Sequence, residues 1–376
     1  MFWYTEKKRA IPQGLMMSSA TTRLLRLLLA AVLTAVLTAV LALVPTISWA
    51  ASTEQKPEHT SAAWERYEYA QLHMGVQVRL VVYAPDQATA ARACIAAYKR
   101  IAQLEQITSD YRPDSELMQL CARSGAVNAH EWVRVSPELF FVLQRSQELS
   151  RRSGGAFDIT VGPYVALWRR ARKTGVFPSP QELQPLRRVT GWRKIHLDPK
   201  TQRVRLQESG MKLDLGGIAK GYAGDEALRV LKAHGVTSAL FQAGGDIVVS
   251  DAPPGKKGWS IAVPGANGKN RTLLPANAAV STSGDLYQSV MFNGRRYSHV
   301  VDPRTGLGLT QRFEATVVAR DGITSDSVST AACVLGPQQG RKLIKCYNGA
   351  WGIIQHAADS NSNNDLTSTQ PRGETP

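Results

Sequence analysis

Apolar and polar positions alternate at Val76, Val78, Leu80 and Val82, a period of two that predicts a strand. The period lengthens over 86–105. There Ala91, Ile95, Tyr98, Ala102 and Glu105 recur at helical spacing, with Cys94, Ile101 and Leu104 as a stripe beside them. Ser136-Pro137 caps a second helix to about Ser150, with Leu139, Val142, Leu143 and Leu149 on one face. A third runs from Gly221 to His234 and stops at Gly235. Strands are predicted over Val236–Phe241, Trp259–Val263 and Thr316–Ala319, and a last helix over Asp326–Leu335, entered from Thr324-Ser325. Helices and strands mix without strict alternation. The expected fold is therefore α+β, with mixed sheets flanked by helices, rather than a doubly wound sheet.

The two ends break these periods. Arg23 and Arg26 precede an apolar run, Leu27–Val44, then Pro45 and the small-residue pattern Ser48-Trp49-Ala50. This order is that of a signal peptide over 1–50, cleaved after Ala50, with an uncleaved membrane anchor as the alternative. Either way the remainder is expected to be periplasmic or extracytoplasmic. Residues 51–63 read as a linker and 357–376 as a disordered tail. A length of 376 residues allows two or three domains, but 64–356 contains no repeat and no linker and reads as one. The net charge of +15 is spread over pairs such as Arg169–Arg170 and Arg187–Arg188, which read as a basic surface and not a nucleic-acid face. Cys94, Cys121, Cys333 and Cys346 lack CxxC or zinc spacing, so disulfides and isolated buried thiols both stay open.

Four segments carry candidate chemistry. In Leu213–Gly221 an acidic residue, Asp214, ends a strand, Gly216-Gly217 turns the chain, and Lys220 opens a helix whose N–H groups suit a phosphate. It is neither a Walker A loop nor GxGxxG, and an ordinary strand–turn–helix joint has the same pattern. Ala243–Asp246 places two glycines after a strand, where backbone can approach a ligand or simply turn. Ser281–Asp285 is followed by Tyr297–Gly306, in which His299, Asp302 and Arg304 gather; such a group can move a proton or be structural. Asp326 and Thr330, at i and i+4, present a carboxylate and a hydroxyl on one helix face. Both are hard donors of the kind Mg²⁺ takes, although Thr330 can equally bond back to its own helix.

Taken in order, these segments closely resemble the FAD:protein FMN transferases of the ApbE family. The resemblance runs from Met74-Gly75 to about Gly336. It includes the TSDYRPDSEL run of 108–117, the GGAFDITVGP run of 154–163, and the segments Asp214–Tyr222, Ala243–Asp246, Ser283-Gly284, His299–Gly306 and Asp326–Thr330. It implies an α+β enzyme that moves FMN from FAD to a Thr or Ser hydroxyl of an exported or membrane flavoprotein, of redox-pump or reductase-subunit type, and releases AMP. FAD contacts are implied at Met74, Tyr111, Ala156, Phe157, Asp158, Asp214, Lys220 and Val300. Mg²⁺ ligands are implied at Gly217 (its carbonyl), Asp326 and Thr330, with Ser329 near. His299 is the candidate for deprotonating or orienting the acceptor hydroxyl, and Asp326 is the rival base. Gly217 stands where some members have a different turn, and no lipobox Cys is present, which favours soluble export. A metal-dependent FAD pyrophosphatase and a non-catalytic flavin-binding protein are the alternative readings. Asp326 is expected to be an exposed carboxylate that supports little packing. The Asp321–Ser327 run looks like a flavinylation site but falls on the metal helix, and is read as structural.

Overall fold

The computed structural model describes residues 64–124, 131–265, 270–284 and 289–356. The expected signal peptide, linker and tail, and Asp285, lie outside the described residues.

The frame is a seven-stranded sheet whose spatial order follows chain order. Its strands are β1 (Glu65–His73), β2 (Val76–Ala84), β3 (Ala239–Ala243), β4 (Asp246–Val249), β5 (Ala278–Ser283), β6 (Phe313–Ala319) and β7 (Trp351–His356). The α+β class stands, but strand directions are not mixed: every neighbouring pair in this sheet is antiparallel. Tight turns between β1 and β2 and between β3 and β4 force this reversal. The first turn is Met74-Gly75, both with positive φ (52° and 73°), a two-residue hairpin geometry that matches the twist of the flanking strands.

Long insertions fill the gaps in this simple order. Between β2 and β3 come helices α1 (Gln87–Thr108), α2 (Glu116–Ser124), α3 (Pro137–Arg152), α4 (Gly162–Thr174), α5 (Pro180–Leu186) and α6 (Ala219–Ala233). Helix α7 (Gly322–Lys345) joins β6 to β7. It continues past the expected end at Leu335 because Gly336, at φ 70°, kinks the chain and Pro337 starts a second helical run. The segment before Gly216, read as a strand, pairs with no sheet among the described residues; its Asp214 N–H donates to the Ile159 carbonyl at 2.8 Å and its Leu213 N–H to Cys121 Sγ at 3.3 Å.

Val78, Leu80 and Val82 are fully buried against α1, α6 and α7, as their alternation predicts. The intervening Val81 is also buried, in a second cluster with Leu240, Val249, Val280 and Val318. A hairpin (261–264 with 270–273) brings Trp259, Ile261 and Val263 onto that face, so the sheet is covered on both sides. A third cluster joins Trp168 of α4 to Phe292 and Tyr297 of the hairpin 289–298, and Trp168 Nε1 donates to the Gly306 carbonyl at 2.8 Å. This cluster fixes the loop that carries His299. The four cysteines are thiols; Cys346 is exposed and Cys94, Cys121 and Cys333 are buried.

Helices α6 and α7 touch backbone to backbone. A Cβ on Gly221 would lie 2.0 Å from the Gly322 carbonyl oxygen, and one on Gly322 would lie 2.3 Å from that of Gly221. Asp225 of α6 locks the contact by accepting the Gly322 and Ile323 N–H groups at 2.6 and 2.9 Å, while Asp321 caps the same helix through Thr324. Gly221→Ala is therefore expected to cost about 3 kcal/mol or more, because neither backbone can yield. Gly235→Ala, at φ 82° with no neighbour within reach, should cost about 1 kcal/mol. Chemical denaturation of the two variants side by side checks this; equal losses would refute the contact.

Candidate active site

A cleft of about 1190 Å³ opens beside the β1–β2 turn and the β3–β4 turn. Met74, Tyr111, Ala156, Phe157, Asp158, Asp214, Gly217, Lys220, His299, Val300, Asp326 and Thr330 all line it. The fold thus gathers these twelve positions, scattered over the chain, onto one surface. Ser329 is the exception: it is fully buried behind the wall and does not line the cleft.

The floor is built on the α6–α7 contact. Asp326 is 2% exposed, not the exposed carboxylate expected, because Gly221 brings α6 directly over it. The Gly221 N–H donates to Asp326 Oδ2 at 3.0 Å, and Asp326 lines the cleft. Lys220 Nζ lies 2.6 Å from Asp246 Oδ2 and 3.9 Å from Asp326 Oδ2. Burial pushes the Asp326 carboxyl up, and the nearby Asp246 charge adds to this against the pull of Lys220 and the Gly221 N–H. Burial opposes the Lys220 ammonium, but Asp246 and Asp326 outweigh it and raise its pKa.

Hydroxyls beside Asp326 form a chain with only one consistent direction. Ser329 Oγ donates to the Asp326 carbonyl at 2.8 Å, which spends its single proton. Ser283 Oγ, 2.7 Å from Ser329 Oγ, must then donate to it. The 3.2 Å contact between Ser283 and Thr330 is left for the Thr330 proton. Thr330 Oγ1 therefore keeps its lone pairs for a cation. Gly217 packs against the same side chain: a Cβ there would come within 3.1 Å of Thr330 Oγ1. A carboxylate, hydroxyl lone pairs and a backbone carbonyl are a hard-oxygen set that fits Mg²⁺. Among the described residues no three His, Cys, Asp or Glu side chains cluster as a softer or all-side-chain metal site would need.

Asp158 and Asp214 differ in what their oxygens do. Asp158 Oδ1 accepts from the Thr160 N–H and Oγ1 at 2.9 and 2.6 Å, and Oδ2 from the Trp192 N–H at 2.8 Å. Burial raises its pKa, and these bonds oppose the rise. Its carboxylate holds the Ala156-Phe157 wall in shape more than it reaches into the cleft. Asp214 Oδ1 accepts the Gly216 N–H at 2.8 Å and so shapes the Gly216-Gly217 turn. Burial and the neighbouring Asp110 charge lift the Asp214 carboxyl, against that N–H and Arg169.

Sequence reasoning had Asp246, Ser283 and Asp110 within its motif segments but gave none of them, nor Arg169, a place in the site. Arg169 was half of a pair read as surface charge, yet its guanidinium turns into the cleft wall between Asp110 and Asp214. Nothing local marks that turn, since α4 is amphipathic whichever way one arginine points.

The fold and site together define an α+β protein whose cleft is lined by buried carboxylates, a lysine, hydroxyls and aromatic rings. Residues 74–353 match the ApbE family, and the chain belongs to it. It is 30% identical over 304 residues to the FAD:protein FMN transferase of Treponema pallidum (strain Nichols), covering 75% of this chain and 82% of that one. Its fold is similar to the apo flavinyl transferase ApbE of Pseudomonas stutzeri, with TM-score 0.69 and 26% identity over 78% of this chain and 93% of that one. The flavin transferase ApbE of Vibrio cholerae gives TM-score 0.70 and 25% identity over 79% and 95%.

Asp158→Ala should leave three buried donors without an acceptor, costing about 2 kcal/mol and lowering Tm by roughly 5 °C. FAD affinity of the folded variant should change less than about threefold. Calorimetry with flavin titration tests both, and a large loss of affinity at unchanged Tm would make Asp158 a direct contact instead.

Proposed function

We propose that this protein is an FAD:protein FMN transferase, working on a Thr or Ser hydroxyl of an exported or membrane flavoprotein with release of AMP. The observation that carries this reading is the floor of the cleft: Lys220 Nζ lies 3.9 Å from the Asp326 carboxylate, and Gly217 packs against Thr330, one helical turn from Asp326. A binding protein for a whole flavin has no use for a cation site at its pyrophosphate.

Mg²⁺ held by Asp326, Thr330 and the Gly217 carbonyl would supply neutralisation of the pyrophosphate charge. The protein's own groups do the remainder. Lys220, at the N-terminus of α6, adds a fixed positive charge beside phosphate oxygens. Met74, Tyr111, Ala156, Phe157 and Val300 hold the rings so that the FMN phosphorus faces the open side. The acceptor oxygen forms the new P–O bond, the bond to the AMP phosphate breaks, and AMP departs with that electron pair. His299 lines the cleft and takes or orients the acceptor proton. The N-terminal charge pattern supports export, placing the cleft among extracytoplasmic acceptors; the protein then begins near Ala51 when N-terminally sequenced from exported material, and a start at Met1 or Met17 would leave the anchor.

The test is covalent FMN on a threonine-bearing acceptor peptide, read by in-gel fluorescence. Asp326→Asn keeps the shape of the buried side chain and should slow transfer roughly a thousandfold, a loss of about 4 kcal/mol in the transition state. EDTA should act likewise and Mg²⁺ restore the rate. His299→Ala should slow transfer with less effect on FAD binding, and FAD should bind more tightly than FMN. Full transfer in EDTA, or an unaltered Asp326→Asn, would refute the metal assignment. FMN and AMP appearing without labelled peptide would make the protein an FAD pyrophosphatase.

A further inference from the structure

We propose that Arg169 is the positioning residue that holds the rim ring of Tyr111 ready for a planar heteroaromatic ring of the substrate. The inference rests on the reading of the cleft as an FAD site and adds a residue to it.

Tyr111 is 74% exposed, an unusual state for a large aromatic side chain, and it stands at the cleft mouth on the connection between α1 and α2. One face of its ring is covered: the Arg169 guanidinium carbon lies 4.0 Å from the ring centroid. The same guanidinium reaches Asp110 Oδ2 through Nη1 at 2.5 Å and Asp214 Oδ2 through Nη2 at 3.4 Å. Only a planar, forked cation meets two carboxylates and a ring face together; a lysine ammonium supplies the charge without the plane.

Arg169 is itself rigidly based. Its neighbour Trp168 is buried and donates to the Gly306 carbonyl, which fixes that turn of α4. The Tyr111 backbone is also held, with the Tyr111 and Arg112 N–H groups bonded to Ser109 Oγ. Side chain and backbone are thus both set before ligand arrives, and ring and guanidinium both line the cleft. Ordering a tyrosine in advance removes an entropy cost otherwise met on binding. Through Asp214, which accepts from Gly216, the clamp also links the ring-holding rim to the turn bearing Gly217.

The experiment measures Kd for FAD, FMN and AMP on wild type, Arg169→Met, Arg169→Lys, Tyr111→Ala and the double variant Arg169→Met/Tyr111→Ala, with Tm for each. Arg169→Met and Tyr111→Ala should each weaken FAD about tenfold, and the double variant should be no weaker than twofold beyond either one. Arg169→Lys should stay within about twofold of Arg169→Met. The smaller ligand that shows the same loss, FMN or AMP, identifies which ring stacks. A double variant about a hundredfold weaker, or an Arg169→Met protein that binds as wild type does, overturns the proposal, whatever its Tm. If Arg169→Met does not fold, Asp110→Asn, which loosens the clamp, must show the same non-additivity with Tyr111→Ala. Wild type that fails to bind FAD would strike the reading of the cleft itself; wild-type binding with unaffected variants strikes only Arg169.

Discussion

Helices α6 and α7 meet with no side chain between them at Gly221 and Gly322, and the site is a consequence of that approach. A Cβ on either glycine would press the helices apart by more than an ångström. Separation would take the Gly221 N–H from Asp326 Oδ2, move Lys220 off its bridge between Asp246 and Asp326, and break the cap that Asp225 places on α7. One steric fact therefore sets both the cationic and the anionic partners of the floor.

The floor is arranged around charges that do not cancel pairwise. Lys220 serves two buried carboxylates, and burial disfavours the second negative charge unless a further cation arrives. The hydroxyl chain from Thr330 through Ser283 and Ser329 to the Asp326 carbonyl points its protons away from the cleft. Both features agree with the cation site proposed above. Ser329 contributes from behind: it orients the hydroxyl that faces the cleft without facing it.

Apolar periodicity carried much of the frame. The strand at Val76–Val82, the cap at Ser136, and the helix ended by Gly235 all appear in the structure, since each rests on contacts within a few residues. Helix α4, the strand β1 and the small flanking sheets, apart from the strand near Trp259–Val263, were not legible. In β1 the pattern Glu65–His73 is mostly exposed and polar, and it is a strand because β2 pairs with it along its whole length. Val81, set on the outward side of β2 by alternation, became core only because the hairpin carrying Trp259 folds over it.

The sequence by itself determined which groups were available and how they were spaced: Asp326 and Thr330 one turn apart, two glycines before Lys220, and the ordered motifs that mark the ApbE family. Tertiary structure decided what those groups do. It buried Asp326, set Asp158 to hold a wall, placed Ser329 out of reach of the cleft, and turned Arg169 from a presumed surface cation into the clamp beneath Tyr111. The division has a physical cause. Spacing and capping depend on bonds within one helical turn, whereas burial, charge and the direction of a hydroxyl proton depend on which distant segment lies against the group.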